Sequence, residues 1–199
     1  MKKLTAAITL IFSNDDWFNK ILIGGFYISI VVTVVPIVMI NGFIVEFMNG
    51  VMQNSKELPY WRNSKSIFKT GWKVSVALVL YYATATFLLT LTGVPVFSVH
   101  TALLFFVLHT TLHPVVLLVY ARKRRFSTCF NISIIGNIVK DHWKALLPVL
   151  FISALLLFVT ITLGWMWIVV GWPMLVFLAL IIQNTMVALS VRGHFFNHS

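Results

Sequence analysis

Few side chains in the long apolar runs of this sequence can carry a proton, a charge or a ligand, and each is costly enough in hydrocarbon to be a candidate for chemistry. Glu46 is the one acid inside such a run, the residue type with which proton-coupled carriers take up and release a proton. Its place near the end of the run, just before Asn49 and Gln53, equally suits a side chain that reaches to the interface. His109 and His113 are four residues apart and so share a helical face; His100 opens the same run and Pro114 follows at once. Two imidazoles at that spacing can ligate a metal or haem iron, or pass protons. The segment His109-Thr110-Thr111-Leu112-His113 lacks the glutamate of a zinc-protease helix, and no Cys or Asp lies near it in sequence, so no metal or cofactor is expected. Polar bridging between helices is the plainer use, and Asn41, Gln183 and Asn184 join the same candidate intramembrane set as bridging groups or as ligands for a solute.

Catalysis is not expected. The sequence has no Gly-rich phosphate loop ending in Lys-Ser/Thr, no Gly-x-Ser-x-Gly elbow and no pair of membrane carboxylates spaced for metal-dependent lipid chemistry. Five acids among 199 residues leave little for general acid–base work.

The composition sets the medium in which any site must stand. Hydrophobic residues make up 59% of the chain and charged residues 10%, with a mean hydropathy of +0.93, whereas soluble domains are about a quarter charged. The fold class is therefore an all-α polytopic membrane protein, with clear apolar helices expected at 74–92, 98–120, 145–163 and 168–190. Residues 18–53 are too long for one crossing and are divided by Pro36, so they read either as one kinked helix or as a hairpin. A hairpin with its tip at Pro36 gives six membrane segments and puts all 15 Lys and Arg residues on one side, and we expect that arrangement. The expected order is an interfacial helix at 1–13, hairpins at 17–53, 73–121 and 144–190, and a second interfacial helix at 126–142 with Phe126, Phe130, Ile134 and Ile138 spaced by four. The start, Met1-Lys2-Lys3 before Leu4 to Phe12, imitates a signal peptide, but Ser13-Asn14-Asp15-Asp16 offers no small-x-small cleavage pattern and the segment is expected to stay.

The formal charge of +10 fits cytoplasmic loops and anionic lipid headgroups; no aromatic-interleaved basic patch points to nucleic acid. Each hairpin is entered through Trp and Lys, namely Trp17 with Lys20, Trp72-Lys73 and Trp143-Lys144, and Arg122-Lys123-Arg124-Arg125 closes the second; all are expected as interface anchors. A degenerate threefold repeat is one reading of this pattern, since Asp15-Asp16-Trp17 is echoed by Asp141-His142-Trp143. Cys129, the one cysteine, is expected as a free reduced thiol.

The segments Asp16-Trp17-Phe18-x-Lys20-Ile21-Leu22-Ile23-Gly24-Gly25, then Pro36, Leu58-Pro59-x-Trp61, Gly71-Trp72-Lys73 and Tyr120-Ala121-Arg122 resemble a family of prokaryotic membrane proteins catalogued as domain of unknown function 4013. The resemblance runs through nearly the whole chain, and the His109/His113 pair departs from it. It implies a helical integral membrane protein, sometimes expected to work beside transporters, and brings no catalytic residues. The expected function is a non-catalytic accessory or scaffold subunit of a larger complex in the cytoplasmic (inner) membrane, both termini cytoplasmic, with lipids and other membrane subunits or further copies as partners. The alternative is a small oligomeric transporter or channel for an ion or small solute.

Overall fold

The computed structural model describes residues 2–30, 34–55, 57–164 and 171–195, excepting the side chains of 161–164 and 193–195. All regular structure among them is helical: α1 (Lys2–Phe12), α2 (Trp17–Ser29), α3 (Val34–Met52), α4 (Ser64–Thr90), α5 (Val99–Lys123), α6 (Ile132–Gly164) and α7 (Gly171–Phe195), with 3₁₀ turns at Trp61–Asn63 and Phe126–Phe130. Five stretches are long and apolar enough to cross a membrane: Val34–Met52, Trp61–Thr90, Val99–Lys123, Ile132–Thr160 and Gly171–Arg192. The chain is a polytopic helical membrane protein.

Three features differ from the sequence-based expectation. The two arms of the expected first hairpin are unequal: the 13 residues of α2 rise only about 20 Å against a hydrocarbon core of about 30 Å, whereas α3 is among the five stretches long enough to cross. Pro36 is not at a tip; it sits in the first turn of α3, where a missing N–H breaks no helical bond, and α2 ends at Ser29 while α3 begins at Val34. Residues 126–142 are not one interfacial helix. The 3₁₀ turn ends at an extended Asn131, whose Oδ1 accepts from the Ile134 N–H at 3.0 Å, and α6 then runs unbroken through Trp143 and Pro148. An Asn at a helix N-cap is a stronger local instruction than four-residue apolar spacing, and it places the boundary inside the predicted stripe.

Two helices, α3 and α7, form the buried centre, while α4 and α6 keep broad apolar faces outward. The central pair of crossings depends on glycine. A Cβ on Gly71 in α4 would strike the Val38 carbonyl oxygen of α3, and one on Gly42 would strike the Ile67 carbonyl oxygen in return. On the other side of the bundle, Gly24 of α2 lies against the Phe177 ring of α7, and a Cβ on Gly25 would come 2.9 Å from the Met174 backbone. Missing side chains let backbones approach in a medium where burial of apolar surface gives helices little reason to associate.

Every Lys, Arg, Asp and Glu among the described residues lies in the same half of the bundle: on α1, the start of α2, the end of α3, the starts of α4 and α6, the ends of α5 and α7, and the connections at 13–16, 53–63 and 124–131. Lys3 Nζ donates to Ser190 Oγ at 3.0 Å, Lys20 Nζ to the Leu58 carbonyl at 2.9 Å, and Arg124 to Glu46, so these elements meet at one end. The turn at 91–98 at the other end carries no charge. Helix α1 lays Ala7 and Ile11 into the core beside α7, leaving Ile8 and Phe12 outward.

Cys129 lies buried under the charged end, and Tyr81 donates its hydroxyl to the Cys129 carbonyl at 2.7 Å. Burial pushes the thiol up to about 11. Only the thiolate is nucleophilic, so at pH 8 roughly one thiol in a thousand is reactive. Maleimide labelling of the folded protein should therefore be slow at pH 7–8 and jump on denaturation; equal rates in the two states would contradict this burial.

Candidate functional site

The polar side chains singled out in the sequence divide into two groups. Asn41, His109 and His113 come together in the uncharged half of the bundle, on a cavity of about 490 Å³ lined mainly by α3, α4, α5 and α7, with Ile28 of α2 and Leu157 of α6. His113 is 5% exposed, and its Nε2 lies 3.1 Å from Asn41 Oδ1; Asn41 Nδ2 in turn donates to Ser75 Oγ at 3.0 Å. With the Asn41 oxygen turned to the ring, Nε2 is the donor and Nδ1 of a neutral His113 is an acceptor, and that Nδ1 has no partner. The His109 ring stacks on it one turn earlier, centroids 4.5 Å apart, with Tyr82 OH 3.4 Å from His109 Nδ1. Trp172, at the start of α7, lines the same cavity and has an indole N–H without an acceptor.

Pro114 explains a further contact. Lacking an N–H, it leaves the Thr110 carbonyl of α5 without its helical donor, and Gln183 Nε2 of α7 supplies one at 3.3 Å. Gln183 is thus an interhelical bridge, although its Oε1 is left unpartnered. Asn184 turns its amide to the Leu180 carbonyl of its own helix at 2.8 Å and leaves Oδ1 unpartnered. The stacked rings of His109 and His113 present one helical face, and among the described residues no group of three His, Cys, Asp or Glu converges on them or elsewhere.

Glu46 does not join this group. It is more than a turn along α3 from Asn41, and it receives both arms of the Arg124 guanidinium at 2.7 Å together with the Thr70 hydroxyl at 2.9 Å. Arg124 reaches it because it ends α5 in the left-handed conformation, φ 54°, with its N–H returned to the Tyr120 carbonyl. Turned to satisfy its neighbours, the Asn49 amide donates to the Ala121 carbonyl and accepts from Arg124. The carboxylate holds the Arg124 guanidinium above its ordinary value through these hydrogen bonds. A fork on a carboxylate is a geometric lock between the ends of α3 and α5.

The expected anchors also divide. Trp72, Trp143 and Lys144 are exposed and Lys73 half-buried, as are Arg122, Lys123 and Arg125 outward at the charged end. Lys20 corrects the expectation: it is turned inward, 5% exposed, with its ammonium on the Leu58 carbonyl and 3.9 Å over the Tyr60 ring. Asn14 Oδ1 accepts from the Leu58 N–H, and Trp61 Nε1 donates to the Lys20 carbonyl at 2.9 Å. Trp61 stacks on Phe43 at 4.3 Å, beside Tyr27 and Phe177, and Trp17 packs edge-on to Phe12. The Trp-Lys-Gly-Gly segment and the Leu-Pro-x-Trp loop are therefore two halves of one clamp.

Ser75, Tyr82 and Trp172 were missed in the sequence. Tyr81-Tyr82 inside an apolar run was a readable signal for the second; the other two have none beyond their polarity. No curated protein and no solved structure matches the chain. The model of a family described as a protein of unknown function (DUF4013) matches residues 25–170, well over half of the sequence, and the chain belongs to that family.

Proposed function

We propose that this protein is a non-catalytic accessory or scaffold subunit of a larger assembly in a prokaryotic cytoplasmic membrane, inserted with both termini in the cytoplasm. The observation that carries the reading is the excess of Lys and Arg over Asp and Glu that the described residues gather at one end of the bundle, over a frame whose acid in an apolar helix is already paired. Basic residues cluster on the cytoplasmic side of membrane proteins, which sets the orientation. A rim of this kind attracts anionic headgroups and acidic segments of neighbouring subunits. The groove between α1 and α7, with Lys2, Thr5, Thr9, Ser13 and Arg192 in its walls, suits a lipid phosphate at the same level.

The second reading, a small oligomeric transporter, is favoured by the cavity at Asn41 and His113. Its uncharged lining suits a neutral solute better than an ion.

Purification in polymer discs, with mass spectrometry of every protein retained, separates the two. The subunit reading expects a membrane partner near 1:1 that is lost when Arg122, Lys123 and Arg125 are replaced by glutamine. A partner-free homo-oligomer would reject it in favour of the second. Accessibility tags at residues 2 and 65 should both report the cytoplasm.

A further inference from the structure

The cavity in the uncharged half combines a size, a lining and an opening that together specify an occupant. Its volume of about 490 Å³ falls within the range of about 300–1,000 Å³ typical of small-molecule sites. No Lys, Arg, Asp or Glu lines it among the described residues, so a charged ligand would meet no counter-charge there. Its walls are apolar apart from Asn41, Ser75, Tyr82, the two histidines and Trp172, and the first three of that set already have partners in one another or in a histidine. Two buried polar atoms on lining residues have no partner: the acceptor His113 Nδ1, on a side chain 95% withdrawn from solvent, and the donor Trp172 Nε1. A buried polar atom without a partner is costly, and here one donor and one acceptor share one lining.

We propose that this cavity binds a neutral, membrane-soluble alcohol or phenol, its apolar body against the walls and its hydroxyl answering His113 Nδ1 and the Trp172 N–H. A hydroxyl is the smallest group that both donates and accepts. A ketone or ester accepts only and leaves His113 unsatisfied; an amine would arrive charged. Access is from the side: Ile37 and Val79 line the cavity and are 41% and 62% exposed on the outer surface of the bundle, so the mouth faces lipid. The ligand therefore partitions first into the bilayer and enters past Ile37 and Val79. The site stands whether the chain works as a subunit or as a carrier.

The test uses the full chain in phospholipid discs, with 2-naphthol as probe and 2-methylnaphthalene, of the same shape without the hydroxyl, as comparator. Equilibrium dialysis against empty discs should find one saturable 2-naphthol site per chain, about three- to tenfold tighter than for 2-methylnaphthalene, the worth of a net hydrogen bond. Trp172→Phe keeps a ring and removes the donor; it should shrink that preference by a similar factor and leave 2-methylnaphthalene unchanged. Val79→Trp, at an outward position where folding is tolerant, should fill the mouth and remove both; Leu80→Trp, outward but off the lining, should remove neither. Uptake no greater than in empty discs, equal affinity for the two probes, or binding indifferent to Val79→Trp would each overturn the proposal.

Discussion

Gly71→Leu is expected to abolish recovery of monodisperse folded protein, and Gly71→Ala to lower the thermal midpoint by about 6–12 °C, the equivalent of about 3 kcal/mol for a chain of this size. The obstacle is backbone: a Cβ would overlap the Val38 carbonyl oxygen and approach Gly42 N to 2.8 Å, and neither atom can swing aside as a side chain would. The helices α3 and α4 would have to part, which opens the cavity wall and the contacts of Asn41 with Ser75 as well. Gly136→Ala is the control. It lies in α6 with nothing within 4 Å of its would-be Cβ, so it should be neutral or stabilise by up to about 1 kcal/mol through helix propensity. Size-exclusion profiles and melting curves in one detergent check both, and a Gly71→Ala protein as stable as the Gly136→Ala protein would refute the close crossing.

Glu46→Ala is expected to cost about 1.5–3 kcal/mol, the range for hydrogen bonds to charged groups. The side chains of Arg124 and Glu46 remain 36% and 25% exposed, so water compensates part of the loss and the larger penalties of fully buried pairs do not apply. Removing the carboxylate also strips the Thr70 hydroxyl of its acceptor. The informative measurement is the cycle of Glu46→Ala, Arg124→Ala and the double variant, in which the second change should cost far less than it does alone. Arg124→Lys should recover only part of the stability, because one ammonium cannot span both carboxylate oxygens. Strictly additive costs would mean that the 2.7 Å fork does not link α3 to α5.

How far the fold was legible follows the range of the instruction. Apolar runs and capping residues act within a few positions, so the helices at α4, α5, α6 and α7 were readable. Boundaries failed where a local cap competed with periodicity, as at Asn131, and where a proline was taken as a break although it suited a first turn, as at Pro36. The site was legible as a list and not as an arrangement. His113 and Asn41 are 72 positions apart, Arg124 and Glu46 are 78 apart, and which polar group meets which is decided by the faces that α3, α4 and α5 turn to one another. Lys20 reads as an interfacial lysine by type and neighbours; only the return of Leu58 to α2 makes it a core residue.

The one-ended distribution of charge has a consequence for how the chain enters its membrane. Between α2 and α3, between α4 and α5, and between α6 and α7 the sequence runs Val31-Val32-Thr33, Leu91 to Ser98 and Trp165 to Val170, with no ionised side chain in any of them. In the orientation proposed above, with the charged end in the cytoplasm, these are the connections that cross the hydrocarbon during insertion, and their passage moves no side-chain charge through it. Membrane potential therefore does little work on the translocated segments in either direction. In that orientation the helices can enter in pairs, led by an uncharged connection, while their cationic ends stay with the headgroups of the leaflet they first met.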